Sequence, residues 1–185
     1  MKEFDLEEGE QVVRETRKHW FFFCAELLPY ILFALIPFVL ARILRLWAPA
    51  ALYAPYVQPN APYMHVVIGL WLIALWTSAW STFTLYYLNV WVLTNRRIVE
   101  VKQRGYFNRE VSSLLLSRVQ DTTTDVQGFL ESLLGMGDIT VQSAGALDKF
   151  HMHGIPDPEH MRDLILSTAQ TATKNELAED DAQGL

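Results

Sequence analysis

Apolar and polar residues are divided unevenly along this chain, and the period of the division changes on the way. Residues 1–18 are polar, with an acidic start over Asp5-Leu-Glu-Glu-Gly-Glu10 and then Arg14, Arg17 and Lys18. Trp20 to Ala41 is apolar almost without interruption, and so is Tyr63 to Leu88. Each run reaches the roughly 20 residues that a helix needs to cross the hydrocarbon of a bilayer. From Asn89 the period shortens. Ile98 to Lys102 runs apolar, apolar, polar, apolar, polar, close to the alternation of a half-buried strand. Thr94-Asn95, Arg104-Gly105 and Asn108 break up β-branched and aliphatic residues, so the pattern predicts a β-meander over 89–119.

The pattern continues to the C-terminus. Gln120 to Val126 is rich in Thr and Val and predicts a strand. Phe129, Leu130, Leu133 and Leu134 share one helical face over 127–134, closed by Gly135 and Gly137. Asp138 to Ser143 alternates again, with Ile139 and Val141 on one side; residues 145–148 form a turn and 149–153 a last strand. Pro156 and Pro158 open a helix with Met161, Leu164, Ile165 and Thr168 at helical spacing. Leu164 and Ile165 are expected to pack on Ile139 and Val141. The acidic tail, 173–185, lacks periodicity and is expected to be disordered. Gln11 to Val13 is expected to add a short strand to the sheet.

The two apolar runs carry their own details. Glu26 is the only formal charge in the first, and Pro29 and Pro37 each remove a backbone hydrogen bond, so a kink is expected there. The connection 42–62 holds Pro49, Pro55, Pro59 and Pro62 with Trp47, Tyr53 and Tyr56, a composition suited to a membrane surface. In the second run Ala74, Ser78 and Thr82 recur every four residues, either as a small-residue packing face or as chance scatter. Antiparallel packing of two such helices sets Glu26 opposite Thr82, near Ser78. An interhelical or intersubunit hydrogen bond is therefore expected for Glu26, against the alternative of reaching back to Arg17 or Lys18. Arg14, Arg17 and Lys18 precede the first run, and Arg96, Arg97, Lys102 and Arg104 follow the second, which predicts cytoplasmic termini. The acidic start and the late, long apolar run do not have the layout of a cleaved signal peptide.

Composition adds limits. The chain is 51% hydrophobic and 19% charged, with the apolar excess in the first half. The net charge is -6, the acids lie mainly at the ends, and no basic face suits nucleic acid. The single cysteine, Cys24, cannot form an internal disulfide. There is no P-loop, dinucleotide glycine fingerprint, HExxH or nucleophile elbow, so no enzyme activity and no cofactor are expected. His151 and His153 share a strand face, but zinc usually takes three or four protein ligands and His160 lies on another element; two solvated histidines and no metal are expected. Asp121 and Asp125 flank a Thr run and read as strand surface. Arg96, Arg97, Lys102, Arg104 and Arg109 crowd the membrane-proximal part. Each basic residue beside an anionic leaflet gains about 1 kcal/mol, so the cluster is a candidate lipid- or partner-binding site. The competing reading is topology determination plus surface salt bridges, with an Arg of the 96–97 turn binding loop carbonyls.

Several stretches taken together carry a resemblance: Leu93 to Val101 (LTNRRIVEV), Gly105 to Asp125, Gly128 to Gly145 and His153 to Ile165, with Glu8 to Val13 and the Arg-Lys-His-Trp entry to the first apolar run. In these the chain resembles the bacterial pleckstrin-homology-like (PH-like) membrane proteins. The resemblance implies an α+β membrane protein of the bacterial cytoplasmic membrane: an N-terminal arm (1–18), a two-helix transmembrane hairpin (19–88), a cytoplasmic PH-like bent sheet or barrel with a C-terminal capping helix (89–172), and a tail. It implies no activity. Two function classes follow: a non-enzymatic scaffold that binds a protein partner or copies of itself, and a sensor of anionic lipid headgroups. The scaffold is favoured, because the spans already supply anchoring.

Overall fold

The computed structural model describes residues 6–7, 9–47, 49, 62–143 and 150–183. The chain divides into two compact units, Trp20–Thr84 and a second made of Met1–His19 with Leu85–Leu185. The expected connection over 42–62 and the turn over 145–148 lie largely or wholly outside the described residues.

The first unit is a pair of helices, α1 (Trp20–Trp47) and α2 (Pro62–Leu88), of which the last residues belong to the second unit. Both are long and apolar enough to cross a membrane. α1 runs through Pro29 and Pro37 without a break in its assignment and has no buried residue. The helices touch through a few side chains. Phe23 meets Phe83 edge-on at 5.7 Å, Trp71 Nε1 donates to the Phe33 carbonyl at 3.2 Å, and the Tyr30 and Thr82 hydroxyls lie 3.2 Å apart. Hydroxyls on α2 turn back onto their own helix: Ser78 bonds the Ala74 carbonyl at 2.8 Å and Ser81 that of Thr77 at 2.7 Å. Glu26 is exposed and has no hydrogen bond or ion pair among the described residues of this single chain. Thr82, the hydroxyl expected opposite it, is met instead by the longer Tyr30 phenol one turn further along α1, and Ser78 is satisfied within α2.

The second unit holds two antiparallel sheets and a helix. β1 (Val12–Thr16), β2 (Val90–Thr94), β3 (Arg97–Gln103) and β4 (Arg109–Leu115) form one sheet in that order. β5 (Val119–Asp125), β6 (Met136–Ser143) and β7 (Phe150–Pro156) form the other. A 3-10 turn, Leu116–Arg118, joins them, a short helix α3 (Phe129–Leu134) precedes β6, and α4 (Pro158–Gln183) follows β7. No barrel is closed among the described strands. The chain leaves the first ladder where Leu116 turns inward to full burial, and it resumes in a separate sheet.

One core lies between the sheets and under α4. Trp91, Leu93 and Ile98 come from the first sheet, Ile139, Val141, Met152 and Ile155 from the second, and Met161, Ile165, Ala169 and Ala172 from the helix. The buried stripe of α4 thus steps by four, four and three residues, one face of a 3.6-residue helix. Ile165 contacts this core as expected, whereas Leu164 is only partly buried beside it, and the Thr168 hydroxyl bonds the Leu164 carbonyl at 2.7 Å. Val90, Val92, Val99 and Val101 form a second buried cluster on the other face of the first sheet. At the start of α4 the Asp157 carboxylate accepts the His160 N–H at 3.3 Å, and Pro158 takes the first helical position, where its missing donor is harmless. α4 continues to Gln183, past the point where disorder was expected, because Glu, Leu and Ala are strong helix formers even without an apolar face.

Candidate functional site

The N-terminal arm is tied to the sheet by an ion pair. β1 pairs with β2, Val12 opposite Thr94 and Glu15 opposite Val92. Just before β1, the Glu10 carboxylate takes both oxygens to Arg97: Nε donates to Oε1 at 2.9 Å and an Nη to Oε2 at 2.8 Å. The Glu7 backbone N–H donates to Oε2 at 2.9 Å. Thr94 Oγ1 lies 2.8 Å from both Glu10 Oε1 and the Arg97 carbonyl, so its single proton serves one at a time, and it accepts the Arg97 N–H at 2.9 Å. The Glu10 side chain is fully buried and that of Arg97 is 18% exposed. Burial alone would raise the Glu10 carboxyl. The Arg97 hydrogen bonds, the Glu7 N–H, the Thr94 hydroxyl and the Arg97 charge outweigh it and hold the group at about 2. The Glu10 bond likewise pushes the Arg97 guanidinium above its ordinary value.

This arrangement redistributes the expected basic cluster. Arg97 is committed to Glu10, with Glu7 at 3.5 Å, and Arg96 pairs with Glu7 at 3.7 Å. Arg104 pairs with Glu110 at 2.8 Å across the β3–β4 turn. Arg109 stands exposed at the start of β4, and Lys102 lines a groove with residues from elsewhere in the chain. The five cations do not form one open patch. The residues that neutralise Arg96 and Arg97 escaped the sequence reading because they lie some ninety positions away; an acidic pair just ahead of the first strand was the only available signal.

The groove is the second candidate. It is about 90 Å³ in volume and is lined by Lys18, Asn89, Trp91, Glu100, Lys102, His151 and His153, with Val90 and Val101. Its wall near Lys18 is fixed from both sides. The Arg17 guanidinium lies 4.9 Å over the Tyr87 ring, the Tyr86 hydroxyl donates to the Lys18 carbonyl at 2.9 Å, and the His19 N–H donates to the Gly154 carbonyl at 2.7 Å. The His151 and His153 rings stack at 5.9 Å and 7°. His151 Nδ1 is 2.9 Å from Thr140 Oγ1, and His153 Nδ1 is 2.7 Å from Asp138 Oδ2, whose other oxygen accepts the Gly154 N–H at 2.8 Å. The second-strand partners of β7 thus hold both rings by the same nitrogen. Among the described residues no group of three or more His, Cys, Asp or Glu side chains could hold a metal, and His160 is not brought together with the pair into one. Asp121 accepts the Thr122 N–H and Asp125 the Gln127 side-chain amide, both from near neighbours in the chain.

Apolar side chains also stand in the open. Val111 and Leu115 are exposed on β4, Tyr106 and Phe107 at the turn before it, and Phe129, Leu130 and Leu133 on α3. The shared α3 face expected from the sequence is therefore present but turned outward.

Comparison with known proteins gives a family. The model described as "Bacterial PH domain" matches residues 27–169, well over half of the chain. No curated protein matches. Among solved structures, the crystal structure of a DUF1696 family protein with a pleckstrin-homology domain, from Shewanella loihica PV-4, is similar over 44% of this chain and 70% of that one, at 13% identity and a TM-score of 0.38. A likeness that low carries no argument.

Proposed function

This chain belongs to the bacterial PH domain family, and from that premise we propose that it is a non-enzymatic membrane protein whose PH-like domain docks a protein partner or a further copy of itself. In this reading α1 and α2 cross the bacterial cytoplasmic membrane, and the domain and both termini lie in the cytoplasm. The exposed apolar side chains along both helices support the crossing. The ladder between β1, which precedes α1, and β2, which follows α2, supports an even number of crossings. The basic flanks support the side.

The observation that carries the docking is β4. It has a neighbour on one side only among the described strands, with Val111 49% and Leu115 42% exposed. Such an edge offers a row of unpaired N–H and C=O groups to an incoming strand. Headgroup sensing by Arg96, Arg97, Lys102, Arg104 and Arg109 has less support, since three of the five are already ion-paired. Full-length protein carrying two different tags, extracted in mild detergent, tests the edge. Val111→Lys together with Leu115→Lys should abolish co-purification of the two tagged copies, or of the partner that wild type retains. Association that survives both charges would refute docking at β4.

A further inference from the structure

The groove between β2–β3 and β7 lies entirely within the second unit, and its donors outnumber its acceptors. Trp91 is only 6% exposed, and its Nε1–H is buried with no hydrogen-bond partner among the described residues. Asn89 Oδ1 is occupied by the Gln103 N–H at 2.6 Å, which leaves its amide NH₂ to donate. Lys18 and Lys102 add positive charge. His151 and His153 have their Nδ1 atoms engaged by Thr140 and Asp138, so Nε2 is the nitrogen each ring has left. The volume of about 90 Å³ holds about six water-sized probes, close to the five heavy atoms of a tetrahedral oxyanion.

We propose that this groove binds a tetrahedral oxyanion of the phosphate class, either free or as the phosphate of a lipid headgroup, between Trp91, Asn89, Lys102 and the stacked His151–His153 pair. Among the described residues Glu100 is the one carboxylate lining the groove and opposes the ligand, and Asp138 faces His153 from β6. With two lysines set against Glu100, each imidazole that gains a proton adds the charge that favours an anion. Both sources of phosphate are within reach. Lys18 stands two residues before Trp20, the first residue of α1, and Asn89 directly follows Leu88, the last of α2. The site does not depend on docking at β4.

The test uses the full-length protein in two arms. In neutral detergent, sulfate is titrated by calorimetry. Wild type should bind it, and Lys102→Gln, or His151→Gln with His153→Gln, should each weaken binding about tenfold. These side chains are exposed, so an unchanged melting curve shows that each variant is folded. In nanodiscs of phosphatidylcholine with or without phosphatidic acid, the lipid that stays with the extracted protein is read by mass spectrometry. Phosphatidic acid that wild type retains and Lys102→Gln releases assigns the groove to a headgroup. Groove-dependent sulfate binding without lipid retention assigns it to a free oxyanion. Binding in neither arm, or binding that both variants leave intact, overturns the proposal.

Discussion

Removing the Glu10 carboxylate should loosen the whole N-terminal arm. The group is held at about 2 against an ordinary 4.5. At 1.36 kcal/mol per pH unit that difference corresponds to about 3 kcal/mol. A second route gives the same order: removing one partner of a buried ion pair costs about 3–5 kcal/mol, because the other charge is left uncompensated. Arg97, 18% exposed, would be that charge. Glu10→Ala should therefore lower the melting temperature of the detergent-solubilised full chain by about 10 °C or more at pH 7. Glu7→Gln, which removes only outer contacts at 3.5 and 3.7 Å from a side chain 60% exposed, should cost less than about 1 kcal/mol. The acid dependence has a definite sign. A carboxyl depressed in the folded state stabilises fully above its unfolded value and loses that contribution as pH falls toward its folded one. Wild type should thus lose its advantage over Glu10→Ala between about pH 4.5 and about pH 2. Equal melting of Glu10→Ala and wild type at pH 7, or parallel acid curves, would refute the reasoning.

Three further outcomes are expected. Ile165→Ala, at a fully buried core position, should cost about 2–5 kcal/mol in denaturant unfolding and Leu164→Ala distinctly less; the reverse ranking would mean that the buried face of α4 is misassigned. Gly137→Ala places a Cβ 2.8 Å from the Asp125 carbonyl oxygen and a Val126 methyl, and should destabilise by about 1–3 kcal/mol, whereas a wild-type melting curve would show slack between β5 and β6. In a Cys24→Ser background, a cysteine at Asn60 should react with an impermeant thiol reagent on intact cells and one at Gln170 should not; labelling at 170 would reverse the proposed orientation.

Local periodicity carried most of the fold, and distance in the chain hid the rest. β3 was readable because Glu100 and Lys102 interrupt its apolar residues, and β6 because Ile139 and Val141 alternate. β2 shows no alternation: all five residues from Val90 to Thr94 are buried, since the strand has a core cluster on each face. Its β-branched Val90 and Val92, rather than a period, mark it as strand. The separation into two sheets rests on Leu116 turning inward, which no period announces. At the site, Arg96 and Arg97 looked like free surface charge because Glu7 and Glu10 come from the far end of the chain. Lys18 and Asn89 seemed mere flanks of the apolar runs, and no pattern singled out Trp91. The groove exists only once the two sheets face each other.

Val12 is synthesised about eighty residues before Thr94, the residue it pairs with. At the 5–20 residues per second of protein synthesis, the arm waits several seconds, with both apolar helices made in the interval, before β2 can receive it. Its three-residue lead into α1 leaves no slack to search elsewhere. The first sheet can therefore be finished only after both helices are made and, in the proposed two-span topology, have returned the chain to its starting side. A hairpin that stalled halfway would leave β2 with a bare edge and Arg97 without its carboxylate, a state that quality control could distinguish from the finished protein.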